Sequence, residues 1–302
     1  MKKDEWTKDK IPDLTEKVII VTGGNSGLGF ESVKAFAQKG ARVVLTSRSR
    51  EKGKAAKNKI GAVKGEIDVM LPDLKKFSSI EQFARDFKQK YIRLDILLNN
   101  AGIMMTPYFK TIDGLEGQMG VNHFGHFKLT GHLLDMIMNT PGSRVVNVSS
   151  NAHKYGSMDF DDLQFENSGY SPLKAYSRSK LANLLFTYEL QRFFQRKNTD
   201  SKALAAHPGT SRTNLARYID DKFWFKLIMP VFRVFTQNQE KGALPQIRAA
   251  VDKNVKGGEY FGPHRRSKGH PVVVDSNKAS KNQEDAKKLW EISENITGVK
   301  FV

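Results

Sequence analysis

The chain has 302 residues, a formal net charge of +17 and no cysteine, so disulfides, cysteine-ligated zinc and thiol nucleophiles are excluded. Its first residues, MKKDEW, are charged, and no stretch approaches the roughly 18 uncharged apolar residues typical of a transmembrane helix. The sequence therefore predicts a soluble, cytoplasmic protein without a transmembrane segment.

Short apolar runs alternate with longer amphipathic stretches along most of the chain. The runs predict strands at residues 18–21, 42–46, 66–71, 94–98, 144–148 and 203–206. The stretches predict helices at residues 30–39, 52–59, 80–91, 115–138, 175–195 and 283–294. This order indicates an α/β protein of the Rossmann type, with a doubly wound parallel sheet covered by helices on both faces. No linker divides the chain, so residues 1–302 are predicted to form a single domain.

An aromatic-rich segment follows the last predicted strand, at residues 211–238. Its position after that strand favours a lid over a substrate pocket. Plain core packing is an equally good interpretation. Because basic residues interleave the aromatic ones, a helix lying on a membrane surface is a third.

A glycine-rich loop joins the first predicted strand to the first predicted helix. It has the sequence TGGNSGLG at residues 22–29. Glycines permit a tight turn in which backbone N–H groups approach a pyrophosphate, and the helix N-terminus that follows favours the anion. The predicted dinucleotide-binding residues of this loop are Gly23, Asn25, Ser26, Gly27, Leu28 and Gly29.

The end of the second strand bears on the choice of dinucleotide. An NAD site usually has an acidic residue there to bind the ribose 2′-hydroxyl. This chain has Ser47 and Arg48 instead, and a guanidinium can pair with a 2′-phosphate through charge-assisted hydrogen bonds. NADP(H) is therefore predicted in preference to NAD(H). The alternative is that Arg48 is an ordinary solvent-exposed residue with no role in cofactor binding.

Tyr176 and Lys180 are four residues apart on a predicted helix, which places them on one face. A free tyrosine has a pKa of about 10, and a nearby ammonium is expected to lower it by favouring the phenolate. Tyr176 is thus a candidate general acid and base. Ser150 ends the fifth strand, where its hydroxyl could donate to a substrate carbonyl.

Five motifs occur in the order found in the short-chain dehydrogenase/reductase family. They are the glycine loop, NNAG at 99–102, VSS at 148–150, YSRSK at 176–180 and HPG at 207–209. The long segment between Ser150 and Tyr176, with SKLAN at 179–183, is similar to the branch containing retinol dehydrogenases, WW-domain oxidoreductases and protochlorophyllide reductases. The resemblance implies an oxidoreductase that interconverts a carbonyl and an alcohol on a bulky, apolar small molecule.

The resemblance also assigns roles to individual residues. It implies a catalytic set of Asn122, Ser150, Tyr176 and Lys180, in which Ser150 rather than Ser149 is used and Asn122 holds a water. Lys180 would also bind the nicotinamide ribose, and Tyr176 would adjoin it. Further cofactor contacts are implied for Asp73, Leu74, Asn100, Ala101, Gly102, Pro208, Gly209 and Thr210. Asp73 is equally explained as a turn residue.

Other functions stay open at this point. A protein of the same fold could bind NADP(H) without turnover, as a sensor or scaffold. The net charge of +17 suggests nucleic acid, but the basic residues are dispersed and no nucleic-acid-binding motif occurs, so no such partner is expected. The histidines at 123, 126, 132 and 153 lack a matching ligand set, and no metal is predicted. The long helices at 115–138 and 175–195 could pair in a homo-oligomer.

Overall fold

A computed structural model describes residues 5–209 and 238–302. An eight-stranded sheet has the order β3-β2-β1-β4-β5-β6-β7-β8. Neighbouring strands are parallel throughout except for β7 and β8, which are antiparallel. The strands are β1 Val18–Val21, β2 Arg42–Thr46, β3 Glu66–Met70, β4 Ile96–Asn99, β5 Arg144–Val148, β6 Lys202–Ala206, β7 Tyr260–Pro263 and β8 Pro271–Val273. The predicted doubly wound Rossmann-type sheet is confirmed.

Helices cover both faces of this sheet, which explains why its central strands are continuous apolar runs. Before β5 the main helices are α1 Gly27–Gln38, α2 Arg50–Ile60 and α3 Phe77–Lys90. After β5 they are α7 Pro172–Arg196, α8 Gln239–Val251 and α9 Gln283–Thr297. Helices α4, α5 and α6 lie between β4 and β5.

The region predicted as one long helix at 115–138 is interrupted. It consists of α4 Gly117–Met119, a π-helical turn Gly120–Phe124, α5 Gly125–His132 and α6 Leu134–Met138. Two glycines allow close packing here. A Cβ at Gly120 would lie 2.6 Å from Thr111 Cγ2, and one at Gly125 would lie 2.9 Å from the Leu74 carbonyl oxygen. The predicted long helical region is present from Gly117 to Met138, with Asn122 in the π-helical turn and a break at Leu133.

The C-terminal helix α9 packs against α7 and α5. Trp290 of α9 forms an aromatic cluster that includes Phe127, Phe186, Phe193 and Phe301. The chain's own C-terminal segment thus covers part of the surface on which pairing of the two long helices was expected. The homo-oligomer stays a prediction.

Most of the predicted lid at 211–238 lies outside the described residues, as does the predicted cofactor residue Thr210. Among residues 5–209 and 238–302, no helix is long and apolar enough to cross a bilayer.

Candidate active site

The glycine loop connects β1 directly to α1. Gly23 has a φ of +65°, a conformation that favours glycine. Gly29 packs against the same turn, since a Cβ there would lie 2.4 Å from the Gly23 carbonyl oxygen. The side chain of Ser26 caps no N–H group of α1. The loop therefore offers backbone N–H groups at a helix N-terminus, which is the arrangement that binds a pyrophosphate.

The hydroxyl of Thr22 fastens this loop to the NNAG segment after β4. Its oxygen accepts hydrogen bonds from the backbone N–H groups of Asn100, at 2.8 Å, and Ala101, at 2.9 Å. In return, Asn100 Nδ2 donates to the Thr22 carbonyl oxygen at 2.7 Å. The two loops predicted to contact the cofactor therefore form one hydrogen-bonded unit.

The adenosine end of the predicted site lies where β2 and β3 end. Ser47 is buried, and its hydroxyl donates to the Ser49 carbonyl oxygen at 3.0 Å. The Arg48 side chain is exposed. Asp73 Oδ1 accepts from Lys75 N at 3.0 Å, so Asp73 does act as a turn residue, and Leu74 beside it is buried. A turn role and an adenine contact can coexist, because the carboxylate has a second oxygen.

Tyr176 is buried on the second turn of α7. Burial raises its pKa to about 12, although the nearby Ser150 hydroxyl acts in the opposite direction. Ser150 Oγ also accepts from the Ala152 N–H at 3.2 Å. Ser149, by contrast, donates its hydroxyl to the Lys180 carbonyl oxygen at 2.8 Å. The structure thus pairs Ser150, not Ser149, with Tyr176.

Lys180 is fully buried beside the tyrosine. Its Nζ lies 5.7 Å from the centre of the Tyr176 ring and donates to the Val148 carbonyl oxygen at 3.0 Å. Burial lowers the pKa of Lys180 to about 8. The net shift in the pKa of Tyr176 is therefore upward, not downward as expected from the ammonium, because the cost of burying the phenolate outweighs the favourable charge.

Asn122 lies next to this pair. Its Oδ1 accepts from Ile103 N at 2.8 Å, and its Nδ2 donates to the Ile103 carbonyl oxygen and to Ser179 Oγ, both at 2.9 Å. Every hydrogen-bonding group of the amide therefore has a partner. Because both amide hydrogens are already donated, a water bound by Asn122 would have to donate to the backbone carbonyl oxygen or to the second lone pair of Oδ1. Gly102 packs here because a Cβ would lie 3.1 Å from Asn122 Oδ1 and 3.5 Å from Lys180 Nζ.

The HPG segment follows β6. Gly209, with a φ of +68°, donates its backbone N–H to His207 Nδ1 at 3.2 Å, and Pro208 lies between them. This turn completes a row of predicted site residues at the carboxyl ends of β1, β4, β5 and β6. That edge is where open α/β sheets bind ligands.

The functional importance of two further residues was not predicted from the sequence. Thr22 was noted only as part of the glycine loop, and His126 only as a rejected metal ligand. The signal in the sequence that could have identified His126 is its spacing, four residues after Asn122.

Within the described part of the chain, no group of three or more acidic, histidine or cysteine side chains is placed to hold a metal.

Comparisons with known proteins identify the family of this chain. The family model described as short chain dehydrogenase matches residues 17–223. The chain belongs to the short-chain dehydrogenase family. Human retinol dehydrogenase 14 is 38% identical over 304 residues, covering 94% of this chain and 87% of that protein. Human retinol dehydrogenase 12 is 37% identical over 292 residues, covering 95% and 88%.

Solved structures share the fold of this short-chain dehydrogenase. A crystal structure of an uncharacterised protein from Mycobacterium paratuberculosis has a TM-score of 0.83 and 38% identity, covering 99% of both chains. The RhlG/NADP complex from Pseudomonas aeruginosa has a TM-score of 0.64 and 21% identity, covering 83% of this chain and 95% of that one. The predicted family and its retinol dehydrogenase-like branch are confirmed. The chain is accordingly an oxidoreductase that acts on carbonyl and alcohol groups with a nicotinamide dinucleotide.

Proposed function

We propose that this short-chain dehydrogenase uses NADP(H) to interconvert an apolar alcohol and its aldehyde or ketone. The observation that carries the proposal is the grouping of the buried Tyr176 and Lys180 with the half-buried Ser150, which follows β5 at the same sheet edge as the glycine loop. The retinol dehydrogenases among its relatives are named for a bulky, apolar alcohol, which supports a substrate of that class. Cytoplasmic location stays a prediction.

The proposed reaction divides the work among three side chains. When bound, the nicotinamide ring supplies or takes up the hydride. Ser150 donates a hydrogen bond to the substrate oxygen and stabilises the charge that develops there. Tyr176 gives its proton to that oxygen in reduction and removes it in oxidation. Lys180 supplies a positive charge that favours the phenolate when Tyr176 acts as the base.

The residues present fit a dinucleotide. The missing side chain of Gly29 lets α1 begin directly against the Gly23 carbonyl oxygen and Asn100 Nδ2, which keeps the turn tight enough to present its N–H groups to a pyrophosphate. The exposed guanidinium of Arg48 follows β2, where it can pair with a 2′-phosphate. Turnover of NADPH with a panel of apolar aldehydes and ketones tests the proposal. Saturable NADPH binding without turnover of any of them would favour the non-catalytic alternative.

Replacing Arg48 by alanine tests the preference for NADP(H). Loss of a charge-assisted contact of about 1.5–3 kcal/mol should weaken NADPH binding about 10- to 100-fold. NADH binding should change less than about threefold, because NADH lacks the phosphate. The measurement is the Kd of each dinucleotide by fluorescence titration. Arg50→Ala, at the start of α2, is the control, and equal losses for both dinucleotides in Arg48→Ala would refute the assignment.

The opposite demands on Tyr176 predict opposite pH dependences. Because burial raises its pKa to about 12, the phenol is protonated throughout the neutral range. Reduction needs this protonated form, so its kcat/KM should be level at neutral pH. Oxidation needs the phenolate, so its kcat/KM should rise with pH. Initial rates in both directions between about pH 6 and pH 9 would check this, and a flat oxidation profile would contradict it.

A further inference from the structure

His126 lies in the interior, on the first turn of α5, and is 1% exposed. Its Nε2 is 2.9 Å from the Thr22 hydroxyl, and its Nδ1 is 3.1 Å from the Asn122 carbonyl oxygen. One imidazole therefore touches both the segment that fastens the dinucleotide loop and a residue of the predicted catalytic set. The π-helical turn that carries Asn122 immediately precedes α5.

The partners of His126 determine which ring nitrogen carries the proton. A carbonyl oxygen can only accept, so Nδ1 must be the donor to Asn122. The Thr22 oxygen already accepts two backbone N–H groups, so Thr22 is the donor to His126 Nε2. Its hydrogen has a second acceptor, the Leu98 carbonyl oxygen at 3.3 Å, but His126 Nε2 is closer at 2.9 Å. Both contacts require the neutral ring. Burial lowers the pKa of His126 to about 4, which keeps it neutral at physiological pH.

The hydrogen bonds continue from Asn122 to the catalytic helix. Asn122 Nδ2 donates to Ser179 Oγ at 2.9 Å, and that hydroxyl donates to the Tyr176 carbonyl oxygen at 2.8 Å. A buried chain of hydrogen bonds thus runs from Thr22 through His126, Asn122 and Ser179 to Tyr176. Networks of this kind fix the orientation of their members, because a broken link leaves a buried polar group unpaired.

We propose that His126 is a positioning residue that holds the Asn122 carbonyl through Nδ1 and the dinucleotide loop through Nε2. The first contact orients the Asn122 backbone carbonyl, which could bind a water that relays protons to the catalytic residues. This first contact matters only if the proposed function holds. The second contact keeps Thr22 aimed at the N–H groups of Asn100 and Ala101. It requires only that the loop binds a dinucleotide.

Two substitutions separate these contacts. In His126→Asn the side-chain amide nitrogen can take the place of Nδ1, so the link to Asn122 is kept and the link to Thr22 is lost. In His126→Gln the terminal amide oxygen can take the place of Nε2, so the reverse holds. An unpaired buried group costs about 1–3 kcal/mol, which corresponds to changes of roughly 5- to 150-fold.

The expected results differ between the two variants. His126→Asn should raise the Kd for NADPH about tenfold, with kcat at saturating NADPH within about threefold of wild type. His126→Gln should lower kcat about tenfold or more, with the Kd within about threefold. Thr22→Val should weaken NADPH binding as His126→Asn does. The double variant should be little worse than Thr22→Val alone, because Thr22→Val already removes the link that His126→Asn breaks.

His123→Gln is the matched control. His123 is also buried, three residues earlier, but its Nε2 contacts Ser293 of α9. This variant can lower the melting temperature and should leave kcat and Kd unchanged. The proposal is overturned if both His126 variants behave like His123→Gln. It is also overturned if kcat falls and the Kd for NADPH rises to the same extent in both variants. The Kd arm, read by NADPH fluorescence, needs no turnover, so its failure is distinguishable from failure of the proposed reaction.

Discussion

Tyr176→Phe is expected to lower kcat about 10²- to 10⁴-fold in both directions, which is the usual contribution of a positioned general acid or base. The substitution removes the proton that reaches the substrate oxygen and keeps the ring that fills the buried site. Binding of NADPH should stay within about threefold of wild type. Steady-state rates and fluorescence titrations of the same preparations would measure both.

Stability provides the control for this variant. The Tyr176 hydroxyl lies near the Ser150 hydroxyl, and in the variant Ser150 keeps its bond from the Ala152 N–H. Loss of the phenol oxygen should therefore cost no more than about 1 kcal/mol of unfolding free energy. A Tyr176→Phe enzyme that is folded and still fully active would mean that another group transfers the proton.

The central strands could be predicted from the sequence because their signal is local. β1, β2 and β5 have the predicted limits, since each is a short apolar run bounded by charged or turn residues. α8, β7 and β8 were not predicted. α8 contains Pro245, which normally argues against a helix, and β7 ends in Gly262 and Pro263, which resemble a turn. Their pairing and packing with distant elements decide their structure.

The site shows the same division between local and distant information. The spacing of Tyr176 and Lys180 predicted that both lie on one face of a helix. The order of the motifs predicted that the glycine loop and the NNAG segment lie together. The role proposed for His126 could not be inferred, because it depends on Thr22, some hundred positions away in sequence. The π-helical turn was not predicted either. The pKa of Tyr176 was misjudged since charge can be read from a sequence, whereas the burial that dominates here cannot.

Lys180→Met should separate activity from stability. The ammonium is buried, and lowering its pKa from 10.5 to about 8 costs roughly 3 kcal/mol at neutral pH. This cost is complete below about pH 8 and disappears as the pH rises towards 10.5. Methionine fills a similar volume without that charge. The Val148 carbonyl oxygen keeps a second donor, Asn183 Nδ2 at 3.1 Å, so no acceptor is left unpaired.

We therefore expect Lys180→Met to lower kcat about 100-fold or more, since a buried charge that favours the reactive phenolate is lost. Its melting temperature without cofactor should equal or exceed that of the wild type.

Lys128→Met is the contrasting variant. Lys128 is also buried but pairs with Glu81 at 2.8 Å and donates to the Thr297 carbonyl oxygen at 2.6 Å, far from Tyr176 in sequence. That variant should be less stable with kcat unchanged. If Lys180→Met were instead active and destabilised, Lys180 would be a structural residue, and the positive charge required for the chemistry would have to come from elsewhere.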